Sequence, residues 1–99
     1  MAERLEKTTI EAKLAEMGGW QLRAEKLYKS FTFGNFVEAF GFLTQVALES
    51  EKLGHHPEIY NVYRTVELEL TTHDAGGISE RDFALAERIE SLLSQPSPT

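Results

Sequence analysis

The sequence predicts an α+β domain, a four-stranded antiparallel sheet with three helices on one face, in the order α-β-β-α-β-β-α. Three observations carry this. The spacing of apolar residues switches between a helical period and strict alternation at Gly, Pro and Asn positions. The segment Thr65 to Thr72 alternates apolar with polar residues so regularly that only one of its faces can be buried. Capping signatures stand in front of the helical segments. A chain of 99 residues, 41% hydrophobic, suits one domain spanning 1–99. The closing Q-P-S-P-T, about 95–99, reads as a disordered tail.

Taken in order, Thr8 and Glu11 have capping-box spacing, and Ile10, Leu14 and Met17 share a helical face before Gly18-Gly19, which predicts a first helix at about 8–17. From Trp20 the period becomes two. Trp20 and Leu22 alternate, then Leu27, Lys29, Phe31 and Phe33 alternate after the break Ala24-Glu25-Lys26, which predicts a hairpin. Asn35, with Glu38 three residues on, caps a helix in which Phe36, Phe40, Leu43 and Ala47, flanked by Val37 and Val46, repeat through to Leu53. That phenylalanine stripe reads as core or subunit interface, and Gly54 as a left-handed terminator. Val66, Leu68 and Leu70 take the buried face of the next strand, with Thr65, Glu67 and Glu69 on the wet face. Ile59 to Val62 could form its own strand turning at Tyr63-Arg64, although no Asn-Gly or Asp-Gly marks a hairpin there. Finally, Ser79-Glu80-Arg81-Asp82 is a capping box opening a helix with Phe83, Leu85, Ala86, Ile89, Leu92 and Leu93 inside.

Composition narrows the function. With no cysteine there is no disulfide framework, thiolate metal site or cysteine nucleophile, and the cytoplasm is the expected compartment. No stretch approaches the roughly 20 apolar residues that span a bilayer, so no membrane role is expected. A net charge of -6 with scattered Lys and Arg disfavours direct nucleic-acid binding.

The chemistry concentrates in the histidines. His55 and His56 follow a helix terminus and precede Pro57, while His73 ends the Thr65 to Thr72 strand beside Asp74. Histidine titrates near neutral pH, with an ordinary pKa of about 6.5, so a cluster of imidazoles suits proton transfer in both directions. A zinc sphere built from the three with Glu51, Asp74 or Asp82 is the rival. Adjacent residues in extended chain point to opposite sides, however, so the reading assigns no metal. Ser79 is better spent as a helix cap than as a nucleophile, and no G-x-S-x-G elbow exists. Glu51, four residues before His55, can approach that imidazole if the helix runs so far, and Asp82 can serve as capping partner and as orienter of His73.

The string Glu51-x-x-x-His55-His56-Pro57, then five residues and Tyr63, nine and His73, eight and Asp82, resembles the signature of the pterin-4a-carbinolamine dehydratases, a family also known as the dimerisation cofactor of a hepatocyte homeodomain transcription factor. The likeness continues through Ala39 to Leu48, Asn61 to Tyr63, Thr71 to Asp74 and the segment from Ile78, and spans roughly Gly18 to Glu90. Gly54, where animal members often carry Asp, and Ile59-Tyr60, where they have an aromatic pair, depart from it.

The resemblance implies dehydration of 4a-hydroxytetrahydrobiopterin to quinonoid dihydropterin, recycling the cofactor of aromatic amino-acid hydroxylases, with no cofactor of its own. His55, His56 and His73 would be catalytic, His55 and His73 transferring protons and His56 holding the pterin. Gly54 and Thr71, Thr72, His73 and Asp74 would line the pterin, with Glu51 and Asp82 orienting the imidazoles. It further implies a homodimer joined at sheet edges or a homotetramer through helices, and a helical protein partner for a coactivator role.

Overall fold

The computed structural model describes residues 3–94, so the expected tail at 95–99 lies outside the described residues. The elements are α1 (Lys7–Leu14), β1 (Gln21–Arg23), β2 (Lys26–Thr32), α2 (Phe36–Leu53), β3 (Glu58–Val62), β4 (Thr65–Leu70) and α3 (Glu80–Ser94), with a 3-10 turn, His73–Ala75, ahead of α3. The α+β order matches the expectation. The strands form one antiparallel sheet in the order β1-β2-β4-β3.

The alternation in β4 decides which face is covered. Val66, Leu68 and Leu70 are fully buried. Their cross-strand neighbours Phe31 and Leu27, opposite Val66 and Leu70, extend the same apolar face, onto which α2 and α3 bring Phe42, Val46, Phe83, Leu85 and Ile89. Each such side chain removed from water stabilises the fold by roughly 1.5–3 kcal/mol before entropy is set against it. Lys29, opposite Leu68 on this face, escapes burial of its charge by reaching Glu90 of α3 at 2.7 Å. The Trp20 indole N–H donates to the same carboxylate at 2.9 Å.

Local expectations change in the helices, and the open point between Ile59 and Val62 resolves as a strand. α1 starts at Lys7 with Glu6 as its N-cap and no side-chain cap, so the Thr8–Glu11 box does not form, and the last part of the predicted span tightens into turns with Glu16 N–H on Lys13 O and Met17 N–H on Leu14 O. Ile59 to Val62 is indeed a strand. Its two-residue turn to β4 places Tyr63 at φ 53°, and the Asn61 amide steadies the turn by donating to Tyr63 O and Thr65 O. In α2 the buried set is Ala39, Phe42, Leu43, Val46 and Ser50, whereas Phe36, Phe40 and Ala47 are exposed. The helix is apolar on more than one side, and the sheet takes the side bearing Phe42. Leu93 of α3, expected inside, is likewise exposed.

Candidate active site

Three chain ends meet at one end of the sheet: the C-terminus of α2, the end of β4 and the N-terminus of α3. Asn35 starts α2 by accepting from Glu38 N–H at 2.9 Å, and Gly54 ends it at φ 63°, ψ 32°. The ending is a Schellman pair, His55 N–H to Ser50 O at 3.1 Å and Gly54 N–H to Glu51 O at 3.3 Å. This left-handed stop turns the chain sharply, so His55 leaves the helix pointing inward and is almost buried.

At the end of β4, Thr72 and Gly77 exchange backbone hydrogen bonds of 3.0 and 3.2 Å, closing a loop whose interior is the 3-10 turn and whose exit is Gly76 at φ 75°. The loop holds His73 and Asp74 out in solvent at the cavity rim. The Ser79–Asp82 capping box forms as expected: Asp82 Oδ2 accepts from Ser79 N–H at 2.9 Å, and Ser79 Oγ accepts from Arg81 N–H at 3.2 Å.

Asp82 does more than cap. Its fully buried carboxylate bonds His55 Nε2 through Oδ1 at 2.6 Å, and Oδ2 also accepts from the Thr72 hydroxyl at 2.8 Å. A carboxylate only accepts, which sets the direction of the chain: the Ser79 hydroxyl, 2.7 Å from Thr72 Oγ1, donates to Thr72, which donates to Asp82. By the same reasoning the imidazole nitrogen facing Asp82 carries its proton. Nδ1 of His55 makes no hydrogen bond within the described residues. As no buried side-chain nitrogen or oxygen among them lacks a partner, Nδ1 is not fully enclosed, and His55 lines the cavity described below.

The pairing differs from the sequence expectation in two respects. Asp82 orients His55 rather than His73, because the Schellman turn swings His55 under the start of α3. Glu51 pairs with the exposed His56 rather than with His55, since residue 55 has already left the helix and no longer follows the i, i+4 geometry.

One cavity of about 250 Å³ is lined by Gly54, His55, His56, Thr71, Thr72, His73, Asp74 and Arg81. Two sequence-distant segments thus bring all three histidines to a shared space. Thr72 differs from the other expected lining residues in that its hydroxyl is committed to Asp82. Arg81 joins the cavity without belonging to the spaced histidine set. Its signal was its place in the first turn of α3, immediately before Asp82, where it supplies the only Lys or Arg among the cavity's described lining residues. Among the described residues, no three His, Cys, Asp or Glu side chains converge as a metal site, and no helix is long and apolar enough to cross a membrane.

Comparison with known proteins places the chain in a family. The family described as pterin 4 alpha carbinolamine dehydratase matches residues 3–92. A protein of Rhizobium johnstonii, provisionally named a pterin-4-alpha-carbinolamine dehydratase, is 57% identical over 95 residues, covering 94% of both chains. A Nitrobacter hamburgensis protein with the same provisional name is 50% identical over 97 residues, covering 96% of each. The crystal structure of a transcriptional coactivator/pterin dehydratase from Brucella melitensis superposes with a TM-score of 0.88 at 38% identity, over 91% of this chain and 98% of that one. A pterin dehydratase-like protein identified as a RuBisCO assembly factor in the alpha-carboxysome superposes at 0.67 with 28% identity, over 81% and 95%.

Proposed function

The chain belongs to the pterin 4 alpha carbinolamine dehydratase family, and on that premise we propose that it is a 4a-hydroxytetrahydrobiopterin dehydratase working by histidine acid/base catalysis. The supporting observation is that His55, His56 and His73 line one cavity, with the inner imidazole held by a buried carboxylate. In the reaction the C4a–O bond breaks as an acid protonates the leaving hydroxyl. The N5 lone pair forms the C4a=N5 bond, a base takes a ring N–H proton, and water departs.

The residues divide as follows. His55 presents Nδ1, its tautomer held by Asp82, and with His73 forms the pair that gives a proton to the leaving hydroxyl and takes one from the ring N–H; His56, paired with Glu51, holds the pterin and assists. Thr71, Asp74 and the backbone at Gly54 border the ring, and Arg81 offers donors to a ring carbonyl. Each positioned acid or base contributes typically ~100 to 10,000-fold in rate. The product is the quinonoid dihydropterin, so the activity recycles the cofactor of aromatic amino-acid hydroxylases in the cytoplasm.

The test follows the absorbance change of freshly generated carbinolamine. Wild type should exceed an equal amount of free imidazole by orders of magnitude, and His56→Ala and His73→Ala should each lower turnover at least ~100-fold. Loss of less than twofold in both would overturn the assignment.

Self-association belongs to the same reading. β3 is an edge strand whose Ile59, Tyr60 and Val62 are more than half or about half exposed, a surface suited to pairing with a second copy, and Phe36 and Phe40 of α2, with ring centroids 5.6 Å apart, offer a helical face for a tetramer. That outward α2 face also supports a second reading, a non-enzymatic coactivator module binding a helical protein partner. Turnover no faster than free imidazole would favour it. Sedimentation of a monomer at micromolar concentration would remove the oligomer.

A further inference from the structure

The histidine cavity does not end at His73. A second cavity of about 300 Å³ shares Thr71 and His73 with it and continues past Glu25, Lys26, Gly76 and Gly77. A third, of about 230 Å³, shares Glu25, Gly76 and Gly77 with the second, so the three run in series along one surface.

The walls of this groove are built rather than incidental. On one side the β1–β2 turn holds Ala24 and Glu25 at φ 52° and 61°, a backbone that carries no glycine and is therefore strained at both positions. On the other, the Thr72–Gly77 bonds fix the loop, and Leu5 N–H to Ile78 O at 2.8 Å pins the N-terminal segment alongside. Gly77 forms part of the floor: a Cβ there would stand 2.7 Å from Cδ of Arg4, whose aliphatic stem lies over it.

The chemistry changes along the groove. Imidazoles and Arg81 line the first cavity, and Glu25 and Lys26, the latter held by Glu58, border the second. In the third, Leu5, Ile10, Leu22 and Ile78 make an apolar wall edged by Arg4 and Lys7. Neither cation forms an ion pair with another described residue, whereas Lys13, Lys26, Lys29 and Lys52 all do. Glu25, at the junction, is the one acid lining this stretch.

Resting on the pterin reading of the histidine cavity, we propose that this chain accepts pterins bearing a long ring substituent, an apolar or aromatic spacer ending in an anion, which passes His73 and the open side of Gly76 and sets its anion beside Arg4 and Lys7. An apolar wall edged by two cations that no described residue pairs fits that chemistry, and a short neutral substituent would reach neither.

The test measures equilibrium binding of three stable dihydropterins: one with a dihydroxypropyl substituent, one with a phosphate ester on a hydroxylated chain, and one with an aminobenzoylglutamate substituent. Wild type should bind the aminobenzoylglutamate form most tightly. R4A/K7A, two exposed positions outside the histidine cavity, should weaken that binding about three- to tenfold, more at low salt than at high, and leave the dihydroxypropyl form within twofold. Preference for the phosphate form would overturn the apolar spacer, and equal effects of R4A/K7A on all three would overturn the groove while leaving the pterin reading standing. Absence of binding by every pterin would overturn both.

Discussion

Asp82→Asn tests the electrostatics of the site with little change in shape. The carboxylate accepts from Ser79 N–H, the Thr72 hydroxyl and His55 Nε2. The backbone N–H is an obligatory donor, so the asparagine oxygen must take the Oδ2 position, which turns its NH2 toward His55. The imidazole can then meet that donor only by accepting at Nε2, which moves its proton to Nδ1, the nitrogen left for the ligand. The variant therefore holds the wrong tautomer while the ring stays in place. All three hydrogen bonds fall from charge-assisted to neutral strength, a loss of about 1 kcal/mol each, so unfolding in urea should show about 3 kcal/mol of destabilisation. Turnover of the folded variant should fall at least ~100-fold, equivalent to about 2.7 kcal/mol in the barrier. Carbinolamine turnover is measured at a urea-free temperature where circular dichroism shows the variant folded, and imidazole 15N shifts report the tautomer. Turnover within threefold of wild type, with the proton moved to Nδ1, would refute the role assigned to His55.

The exposed Glu51–His56 pair should behave differently: Glu51→Gln changes stability by no more than about 1 kcal/mol and turnover by no more than about fivefold, read by urea unfolding and steady-state rates. Leu68→Ala, at a fully buried position in the central strand, should cost about 2–5 kcal/mol in urea unfolding. The hydrogen bond from Lys26 to Glu58 raises the lysine above its ordinary 10.5, so the pair's contribution is complete below that pH and disappears as pH rises through the folded value. The stability difference between wild type and Glu58→Gln should accordingly shrink on strongly alkaline titration, and a difference that grows there would contradict the pairing.

What was legible in the sequence divides by range. Apart from the Thr8–Glu11 box, local signals survived folding: the Asn35 cap, the Gly54 stop, the alternation of β4 and the Ser79–Asp82 box all stand where residue chemistry put them. Their success reflects that each is decided within four or five residues. The rest required tertiary contacts. Which side of α2 faces the sheet was open because Phe36 and Phe40 compete with Phe42 on a helix apolar on more than one side, and the choice was made by β2 and β4. The β3–β4 turn was obscure because Tyr63 adopts a left-handed conformation without glycine, helped by an Asn61 side chain two residues earlier. Among site residues, the histidines and Asp82 were visible as a spaced set, but their partners were not. An i, i+4 argument gave Glu51 to His55, and only the three-dimensional Schellman turn reassigns it to His56. Arg81 was hidden inside a capping motif that already explained its neighbours.

The claim that carries the account is that imidazoles from the end of α2 and from the loop after β4 act on one flat ring. Titrating protein labelled with 15N in its histidine rings with a non-reactive dihydropterin measures this directly. The account predicts that resonances of His55, His56 and His73 shift together along one saturating curve. Saturation that moves His73 alone, or His55 and His56 without His73, would contradict it.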